Sequence, residues 1–374
     1  MSVNPKLKFY SNKEIKKTGC TLGVVYGGRQ TGKTYSFLKD AIEDYLKKGH
    51  QTVYLRRSRE DIKPSLGTDQ LFDGLIYNNV FSKLSKGKWT GCVYKNRAFY
   101  LTSYDEEKDA VIKDETPFCL VWTISQSQSY KGADRPDVYT IIFDEFIAEM
   151  EEAYLVGEWK KFKSIISTLK RHKDPKEFKI WLIGNPNDGY CPYFGNLRIK
   201  KLGEQKQGTI EVYKHGDGEM GIIAAEYCEE MEDIANKEFY EILSDTDVDM
   251  ILRGGIEHSQ EYPQLPFDYT KEDINFTFYI DFDREKFQCE LIDKEDSSIL
   301  YIHKKTTELK YKDDDLVYSQ NWDPRPNVRR NINKDNSNIA NVIKYYFNNE
   351  LVCYQDNHIG DMVKAYFKWC DNSD

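Results

Sequence analysis

Short apolar runs alternate with longer amphipathic stretches through the first half of the chain. Residues 20–26 (C-T-L-G-V-V-Y) form an apolar run, and a glycine-rich turn follows at 27–32. Apolar positions then recur at helical spacing over 33–48, and a second apolar run occupies 51–57. Because a strand, a helix and a second strand in this order make a βαβ unit, the pattern predicts a parallel sheet covered by helices.

The same alternation continues to about residue 200. Further apolar runs bounded by polar or glycine-containing turns predict more strands, and an amphipathic stretch predicts another helix. The strands are predicted at 92–101, 119–124, 139–143 and 178–183, and the helix at 150–171. Residues 1–203 are therefore predicted to form one α/β domain.

The pattern changes after residue 203. Residues 221–253 are acidic and carry apolar residues at helical spacing, which predicts a helix. Gly254-Gly255, Pro263 and Pro266 then interrupt the pattern, and we place a boundary near residue 270. We interpret residues 204–274 as an acidic helical linker or lid.

Residues 275–374 follow a third pattern. Three runs of alternating apolar and polar residues predict antiparallel strands joined by short turns. These strands are predicted at 276–282, 287–292 and 299–304, with a loop at 312–338, a closing strand at 350–354 and a helix at 359–370. The order predicts a small α+β domain.

Charge is unevenly distributed along the chain. The 374 residues hold 53 Lys+Arg and 62 Asp+Glu, a net charge of −9. Residues 1–200 hold 33 and 25 (33 − 25 = +8), residues 201–274 hold 6 and 19 (6 − 19 = −13), and the remainder hold 14 and 18 (14 − 18 = −4). The total argues against a basic protein that coats nucleic acid, whereas the distribution permits a phosphate-binding surface in the first domain.

Cysteine, histidine and apolar patterns argue against several classes of protein. The eight cysteines include no C-x-x-C pair and the six histidines no H-E-x-x-H motif, so neither a disulfide framework nor a zinc site is expected. No apolar run approaches the roughly 18–20 residues of a membrane span, and no signal-peptide core follows the first lysines. We expect a soluble, intracellular protein without membrane contact.

The glycine-rich turn fits the phosphate-binding pattern G-x-x-x-x-G-K-[ST]. Backbone N–H groups of such a turn point at phosphate oxygens, and the following helix N-terminus adds partial positive charge. Lys33 is expected to reach the β- and γ-phosphates of ATP, and the Thr34 hydroxyl to bind Mg²⁺. The predicted nucleotide-binding residues are Gly27, Gly28, Arg29, Gln30, Thr31, Gly32, Lys33 and Thr34.

Two adjacent acids, Asp144 and Glu145, follow the apolar run at 139–143. The carboxyl ends of strands lie at the edge where α/β sheets bind ligands. Asp144 is predicted to hold hydrated Mg²⁺, and Glu145 to orient or deprotonate the attacking water. The alternative interpretation is that the two acids mark the start of a helix, where acidic residues are favoured. Together with the phosphate-binding turn, they favour an additional-strand, catalytic-glutamate (ASCE) P-loop ATPase over a kinase.

Asn185 follows the predicted strand at 178–183 and is predicted to sense the γ-phosphate, although Asn-Pro is also an ordinary turn. Phosphoryl transfer further requires a cation near the developing negative charge, often an arginine from another subunit. Arg171 is the main candidate, followed by Lys131 and Arg135; each also fits an ordinary surface cation.

Three other arginines lie near the predicted site. Arg29 is within the phosphate-binding turn and either touches phosphate or faces solvent. Arg56 and Arg57 end the second predicted strand on the ligand-binding edge. They either link the nucleotide site to a substrate or pair with acids.

With these motifs, the chain resembles the genome-packaging motor ATPases of small podophages of the phi-twenty-nine kind, relatives of large terminase subunits. The resemblance rests on G-G-R-Q-T-G-K-T at 27–34, Y-L-R-R at 54–57, Y-T-I-I-F-D-E-F-I at 139–147, and Asn185 followed by P-Y-F at 192–194. These motifs cover roughly residues 20–195. The predicted strands of residues 275–304 look like the C-terminal module of the same family.

The resemblance implies a motor that uses ATP and Mg²⁺ to move double-stranded DNA into a preformed capsid. Such motors form a homomeric ring, pentameric in the family, on the capsid portal, and in some members a structural RNA joins the motor to the capsid. The protein would act in the cytoplasm of the infected bacterial host, transiently on the procapsid. The family's trans-acting arginine and lysine correspond to Arg171 and Lys131.

The resemblance also implies an RNase H-like domain over 275–374. In terminases this domain cuts DNA with clustered carboxylates that hold two metal ions, whereas in small podophages it looks vestigial. Asp281 and Asp283, with Asp356 and Asp361, fit such a two-metal site. Acids on the exposed face of an edge strand explain the same pattern, and we favour this second interpretation.

Three functions follow from these observations. The first is a DNA-translocating packaging ATPase, and the second is a terminase-like enzyme that also cuts DNA. The third is a nucleotide-dependent assembly switch without DNA transport. DNA-stimulated ATP hydrolysis distinguishes the first two from the third.

Overall fold

A computed structural model of the chain describes residues 9–64, 67–107, 109–148, 154–171, 173–174, 176–186, 190–215, 221–229, 261–294, 297–312 and 314–372. The chain divides into two compact units, each built around one sheet. The first unit takes Met1–Glu149, Glu158–Asn187 and Gly203–Ile256, and the second takes Met150–Gly157, Asp188–Leu202 and Glu257–Asp374.

The sheet of the first unit has ten strands in the order β3-β4-β6-β2-β7-β8-β1-β10-β9, with β5 paired to β4. The six neighbouring strands β6, β2, β7, β8, β1 and β10 are all parallel to one another. The strands are β1 (Leu22–Tyr26), β2 (Gln51–Arg56), β3 (Gly91–Lys95), β4 (Ala98–Asp105), β5 (Ala110–Lys113), β6 (Cys119–Thr123), β7 (Val138–Asp144), β8 (Lys179–Gly184), β9 (Thr209–Lys214) and β10 (Ile222–Tyr227).

Five α-helices belong to the first unit within its described residues. They are α1 (Lys13–Lys17), α2 (Lys33–Lys48), α3 (Asp73–Tyr77), α4 (Val80–Ser85) and α5 (Glu158–Leu169), and short 3₁₀ turns lie at Glu60–Ile62, Thr68–Gln70 and Ile124–Tyr130. The central strands β1 and β6 are buried along their whole length, as expected for a parallel sheet covered on both faces. The α2 face with Phe37, Leu38 and Ile42 supplies part of this cover.

The second unit has a six-stranded sheet in the order β15-β14-β11-β12-β13-β16. Its strands are β11 (Ile274–Phe282), β12 (Glu285–Lys294), β13 (Ser297–Lys304), β14 (Leu316–Ser319), β15 (Val328–Arg329) and β16 (Val352–Tyr354); its helices are α6 (Pro192–Leu197), α7 (Asn338–Asn348) and α8 (Asn357–Asn372), with a 3₁₀ turn at Lys271–Asp273. Strands β11 to β13 are antiparallel, as predicted. The predicted α+β composition of this part of the chain is confirmed.

Several predicted elements have different bounds or a different structure. The predicted helix over 221–253 is wrong at 222–227, because Ile222–Tyr227 is strand β10 and pairs with β1. The remainder of that prediction, from residue 230, lies outside the described residues. Residues 92–101 belong to a hairpin of β3 and β4, α5 starts at Glu158 rather than 150, and the predicted loop at 312–338 contains β14 and β15.

The three-part division of the chain, at 203 and 274, stays a prediction. Strands β9 and β10 lie in the segment that was assigned to the linker, yet they extend the first sheet. Among the helices that the structure describes, none has the length and apolar character needed to cross a membrane.

Gly23 provides a test of how closely the first sheet is packed. It lies beside Trp181 of β8, and a Cβ at Gly23 would lie 2.3 Å from Trp181 Cζ3. The Trp181 ring packs on Phe37 of α2, with ring centroids 4.7 Å apart, so its displacement disturbs the helix interface. We expect Gly23→Ala to lower the free energy of unfolding by about 1–3 kcal/mol in a denaturant titration.

Gly91→Ala is the matched control for this substitution. Gly91 is also in a strand, but a Cβ there would lie 3.7 Å from Ile76 Cδ1, which is ordinary van der Waals contact. The control should unfold at the wild-type denaturant concentration or above it. Equal midpoints for Gly23→Ala and wild type would contradict the described packing of β1 against β8.

Candidate functional site: the carboxyl edge of the central strands

The predicted phosphate-binding turn, acid pair and asparagine meet at one edge of the first sheet. Strand β8 lies between β1 and β7, and all three strands are parallel. Their carboxyl ends therefore lie side by side. The turn at 27–32 leaves β1, Asp144 and Glu145 end β7, and Asn185 follows β8. These residues line a cavity of about 300 Å³ together with the first turn of α2.

The conformation of the turn requires glycine at its first position. Gly27 has φ 154°, and a Cβ there would lie 2.8 Å from the Cβ of Cys228, which follows β10. The turn then passes through left-handed backbone at Gln30 (φ 59°) and Gly32 (φ 88°) before α2 begins at Lys33. Gln30 is exposed and Arg29 half-buried. The close approach of β10 explains why residue 27 has no side chain.

The ammonium group of Lys33 is buried within the turn. Its Nζ donates to the carbonyl oxygens of Gly27 (2.9 Å) and Gly28 (2.5 Å), and to Oδ1 of Asn185 (3.1 Å). Burial lowers the pKa of Lys33, and the Coulombic influence of Cys228 and Asp144 opposes that shift. Phosphate oxygens entering the cavity would give this cation charged acceptors in place of neutral ones.

Thr34 and Asp144 are in direct contact on the other side of the cavity. The Thr34 hydroxyl donates to the carboxylate of Asp144, with Oγ1 3.2 Å from Oδ1 and 3.1 Å from Oδ2. Asp144 is buried and also accepts a hydrogen bond of 2.9 Å from the Tyr54 hydroxyl. Burial raises the pKa of Tyr54, which keeps this hydroxyl protonated as a donor.

The donor set beside the cavity fits Mg²⁺. One hydroxyl and one carboxylate, both oxygen donors, suit a hard cation that keeps several waters and binds substrate phosphates. Across the described part of the chain, no group of three or more His, Cys, Asp or Glu side chains is arranged to hold a metal ion. A site with few protein ligands agrees with a metal that arrives with a nucleotide.

Glu145 occupies an unusual backbone position. Its φ is 56°, in the left-handed region that non-glycine residues seldom adopt, and its side chain is 52% exposed. The carboxylate forms an ion pair with the guanidinium of Arg56. Arg56 NH1 also lies 3.5 Å from the Tyr54 hydroxyl. The acid predicted to act on water is therefore held by a cation of β2.

Arg57 holds the backbone that carries Glu145. It is buried, and its guanidinium donates to the carbonyl oxygens of Glu145 (3.2 Å) and Phe146 (2.7 Å). Its Nε donates to the buried carboxylate of Glu158, the first residue of α5, at 3.1 Å. One cation thus joins β2, the segment after β7 and the start of α5. Pairing of both arginines with acids was one of the two predicted alternatives.

The candidates for a trans-acting cation lie away from this cavity. Arg171 is exposed and follows α5, on the side where β8 begins. Asn185 and the phosphate-binding turn lie at the opposite ends of the strands. Lys131 is exposed directly after the 3₁₀ segment that follows β6. The fold therefore does not bring Arg171 to the cavity of its own chain.

The four acids proposed for a nuclease site form separate contacts within the second unit. Asp281 accepts from the Tyr311 hydroxyl at 2.7 Å, and Asp361 from the Tyr262 hydroxyl at 3.1 Å. Asp283 lies 3.6 Å from Lys201 Nζ, and Asp356 accepts from the backbone N–H of Ile359. Strand β11, which carries Asp281, is paired on both sides, so the predicted edge-strand explanation is wrong for Asp281.

Sequence reasoning did not identify Tyr54 or Glu158 as parts of the site. Tyr54 and Arg56 are two residues apart in β2 and therefore share a face, which is a signal for their common contact. Glu158 stands four residues before Phe162 on the buried face of α5. An acid on an apolar helix face indicates a buried partner, but the sequence does not identify that partner as Arg57.

The strand order and the residues at its carboxyl edge define the class of protein. An additional strand, β8, separates the turn-bearing β1 from the acid-bearing β7, and the chain has the fold of an ASCE P-loop ATPase. The predicted P-loop ATPase fold of the first domain is confirmed. A model of the podovirus DNA encapsidation protein (Gp16) family matches residues 5–200, just over half of the chain, and the chain belongs to this family.

Individual relatives support the same assignment. The DNA packaging protein of Bacillus phage phi29 is 27% identical over 190 residues, which cover 50% of each chain. The chain thus spans about half the length of the curated relatives it matches. Two solved structures share the fold: the Phi-28 gp11 DNA packaging motor (17% identity, TM-score 0.58, 97% of both chains) and the bacteriophage Phi-29 genome packaging motor assembly (19%, 0.56, 96% and 98%).

The buried Arg57–Glu158 pair predicts a large stability effect. Glu158→Ala leaves the buried guanidinium without its carboxylate and should lower the free energy of unfolding by about 3–5 kcal/mol. Arg57→Met combined with Glu158→Leu should recover part of that loss, since no unpaired charge is left behind, whereas the carbonyl oxygens of Glu145 and Phe146 still lose their donor. Denaturant titration measures both values.

Glu14→Ala is the control, because Glu14 pairs with Lys17 on the surface. Its expected loss is below about 1 kcal/mol. A Glu158→Ala protein as stable as this control would contradict the described burial of the pair.

Proposed function

We propose that this chain hydrolyses ATP with Mg²⁺ and uses the energy to move double-stranded DNA into a preformed capsid. The observation that carries the proposal is the meeting of the Lys33 ammonium, Asn185 and the Thr34–Asp144 pair around one cavity. Membership of the DNA encapsidation family supports DNA packaging as the process that hydrolysis would drive.

Each residue at the cavity has a role in this proposal. Backbone N–H groups of residues 27–32 and the Lys33 ammonium bind the phosphates, and Asn185 senses the γ-phosphate through its contact with Lys33. Thr34 and Asp144 hold Mg²⁺ in this proposal. The Tyr54 hydroxyl orients the carboxylate of Asp144 by its hydrogen bond. The metal ion would neutralise charge on the β- and γ-phosphates.

Glu145 activates the attacking water in this proposal, and its pairing with Arg56 controls when it can do so. A carboxylate that is paired with a guanidinium is a weaker base, because the positive charge favours its ionised form. The ion pair between Glu145 and Arg56 must therefore break before the carboxylate can accept a proton from water. The backbone of Glu145 is left-handed, and Arg57 donates a hydrogen bond to its carbonyl oxygen. The backbone position is therefore fixed while the side chain changes its conformation.

Hydrolysis also requires a cation from a neighbouring subunit. Arg171, with Lys131, supplies that charge in trans, in keeping with the exposed position of both side chains. A homomeric ring follows, with a pentamer as the proposed size. The proposed partners are double-stranded DNA, the capsid portal and, as in some relatives, a structural RNA, in the cytoplasm of the infected host and on the procapsid.

The DNA contact is proposed for residues 1–200, because this part of the chain carries the net charge of +8. A nuclease role for the second unit is less well supported, because its four candidate acids are held by separate tyrosine, lysine and backbone donors.

The assembly switch remains the second candidate function, since the same nucleotide site would serve it. ATP turnover with and without linear double-stranded DNA separates the two, as only a translocase requires stimulation by DNA.

Glu145→Gln tests the hydrolytic role. The variant should bind ATP with wild-type affinity but lose about 10²–10⁴-fold in turnover, with and without DNA, because an amide cannot accept the proton. Lys33→Ala should instead lose ATP binding. Asp137→Asn, an exposed acid just before β7, is the matched control and should keep full turnover. Retained turnover in Glu145→Gln would remove Glu145 from the mechanism.

Mixing experiments test the trans-acting arginine. Arg171→Ala should lose about 10³–10⁵-fold in turnover. When it is mixed with Lys33→Ala, a ring can place an intact phosphate-binding turn beside an intact Arg171, and part of the ATPase activity should return. Lys170→Ala, the neighbouring exposed cation, should be active alone. Absence of recovery in the mixture, with rings still formed, would count against Arg171 as the trans cation.

A further inference from the structure

An aromatic side chain stands at the entrance to the phosphate-binding turn. Phe9 is 54% exposed, and its ring lies beside Gly32, where a Cβ would be 3.6 Å from Phe9 Cδ1. Gly32 directly precedes α2 and the phosphate-binding Lys33. An apolar ring in water at this point is an unused contact surface next to the proposed nucleotide site.

The segment that carries Phe9 is tied to the turn and to α2. The backbone N–H of Tyr10 donates to the carbonyl of Thr31 at 2.9 Å. Asn12 Nδ2 donates to the carboxylate of Asp40 at 2.7 Å, and the Asn12 backbone N–H donates to the Ser36 hydroxyl at 3.3 Å. These bonds run along α2 and fix the path of the backbone.

The Tyr10 side chain is a second anchor. Its hydroxyl donates to Glu226 of β10 at 2.8 Å, and its ring lies 6.3 Å from that of Phe37 in α2. Because Tyr10 points inward to these partners, the adjacent Phe9 is held on the outside of the turn. The position of Phe9 is thus set by contacts of its neighbours.

We propose that the ring of Phe9 stacks on the base of the bound nucleotide. The inference rests on the proposed function, since it requires phosphates in the turn at 27–32. A nucleoside triphosphate whose phosphates and metal ion occupy the cavity of about 300 Å³ around Lys33 and Asp144 has to place part of its ribose and base outside that cavity. Phe9 is an exposed aromatic surface beside Gly32, which lines the cavity.

The chemistry of such a contact determines what it selects. Every nucleobase has a π-face, so stacking raises affinity without reading hydrogen-bonding groups. A Phe9 platform therefore favours nucleoside triphosphates over inorganic tripolyphosphate, and it discriminates poorly between purine bases. A second aromatic residue, Tyr35, is 36% exposed in the first turn of α2 and lines the cavity itself, and its ring lies beside Gly74 of α3.

Binding measurements on the full chain test the proposal. Dissociation constants for ATP and for tripolyphosphate, both with Mg²⁺, are measured by calorimetry for wild type, Phe9→Ala and Tyr104→Ala. Phe9→Ala should weaken ATP about tenfold, the range expected for one base–aromatic stack, and leave tripolyphosphate unchanged. Tyr104→Ala is the matched control, because Tyr104 of β4 is also 54% exposed and does not line the cavity, and it should bind both ligands as wild type does. Phe9→Trp should retain ATP binding, with a change in tryptophan fluorescence on adding ATP that tripolyphosphate does not produce.

The outcomes separate this inference from the function on which it rests. Wild-type protein that binds neither ligand would overturn the proposed nucleotide site itself. If wild type binds both ligands, ATP affinity unchanged in Phe9→Ala would overturn the stacking role alone. Equal weakening of ATP and tripolyphosphate would also overturn it, because it would mean that Phe9 only supports the turn.

Discussion

The buried ammonium group of Lys33 constrains the arrangement of the whole site. A cation removed from water is costly unless several acceptors surround it. Two carbonyl oxygens of the turn and the Asn185 amide serve this purpose, so the turn after β1 and the residue after β8 must lie together. The parallel pairing of β1 with β8, and of β8 with β7, meets that requirement and brings Asp144 to Thr34.

Two consecutive arginines at the end of β2 act on one acid in different ways. Arg56, the last residue of β2, is partly exposed, whereas Arg57, which follows it, is buried. Arg57 binds carbonyl oxygens and the buried Glu158, so it fixes backbone, whereas Arg56 pairs with the exposed carboxylate of Glu145. A fixed backbone with a releasable side chain suits the role proposed for Glu145, in which the acid stays inactive until nucleotide, DNA and a neighbouring subunit are in place.

The elements that the sequence predicts correctly are those whose determining signals lie within the segment itself. Helix α2 is predicted to the residue, because the glycine turn before it and the left-handed Gly49 after it are signals within the segment. Strand β10 is mistaken for helix, because its short run of Ile, Ala and Glu also fits helical spacing and only pairing with β1 decides the matter. The Tyr54–Asp144 and Arg57–Glu158 contacts join residues about 100 positions apart, which no local pattern reveals.

A structure with Mg²⁺ and a non-hydrolysable ATP analogue tests the central claim most directly, namely that this cavity is a nucleotide site. The account predicts phosphate oxygens within hydrogen-bond distance of Lys33 Nζ and a metal ion about 2.1 Å from Thr34 Oγ1, with Asp144 beside it. Nucleotide bound elsewhere on the chain, with Lys33 still on the carbonyl oxygens of Gly27 and Gly28, would contradict the account.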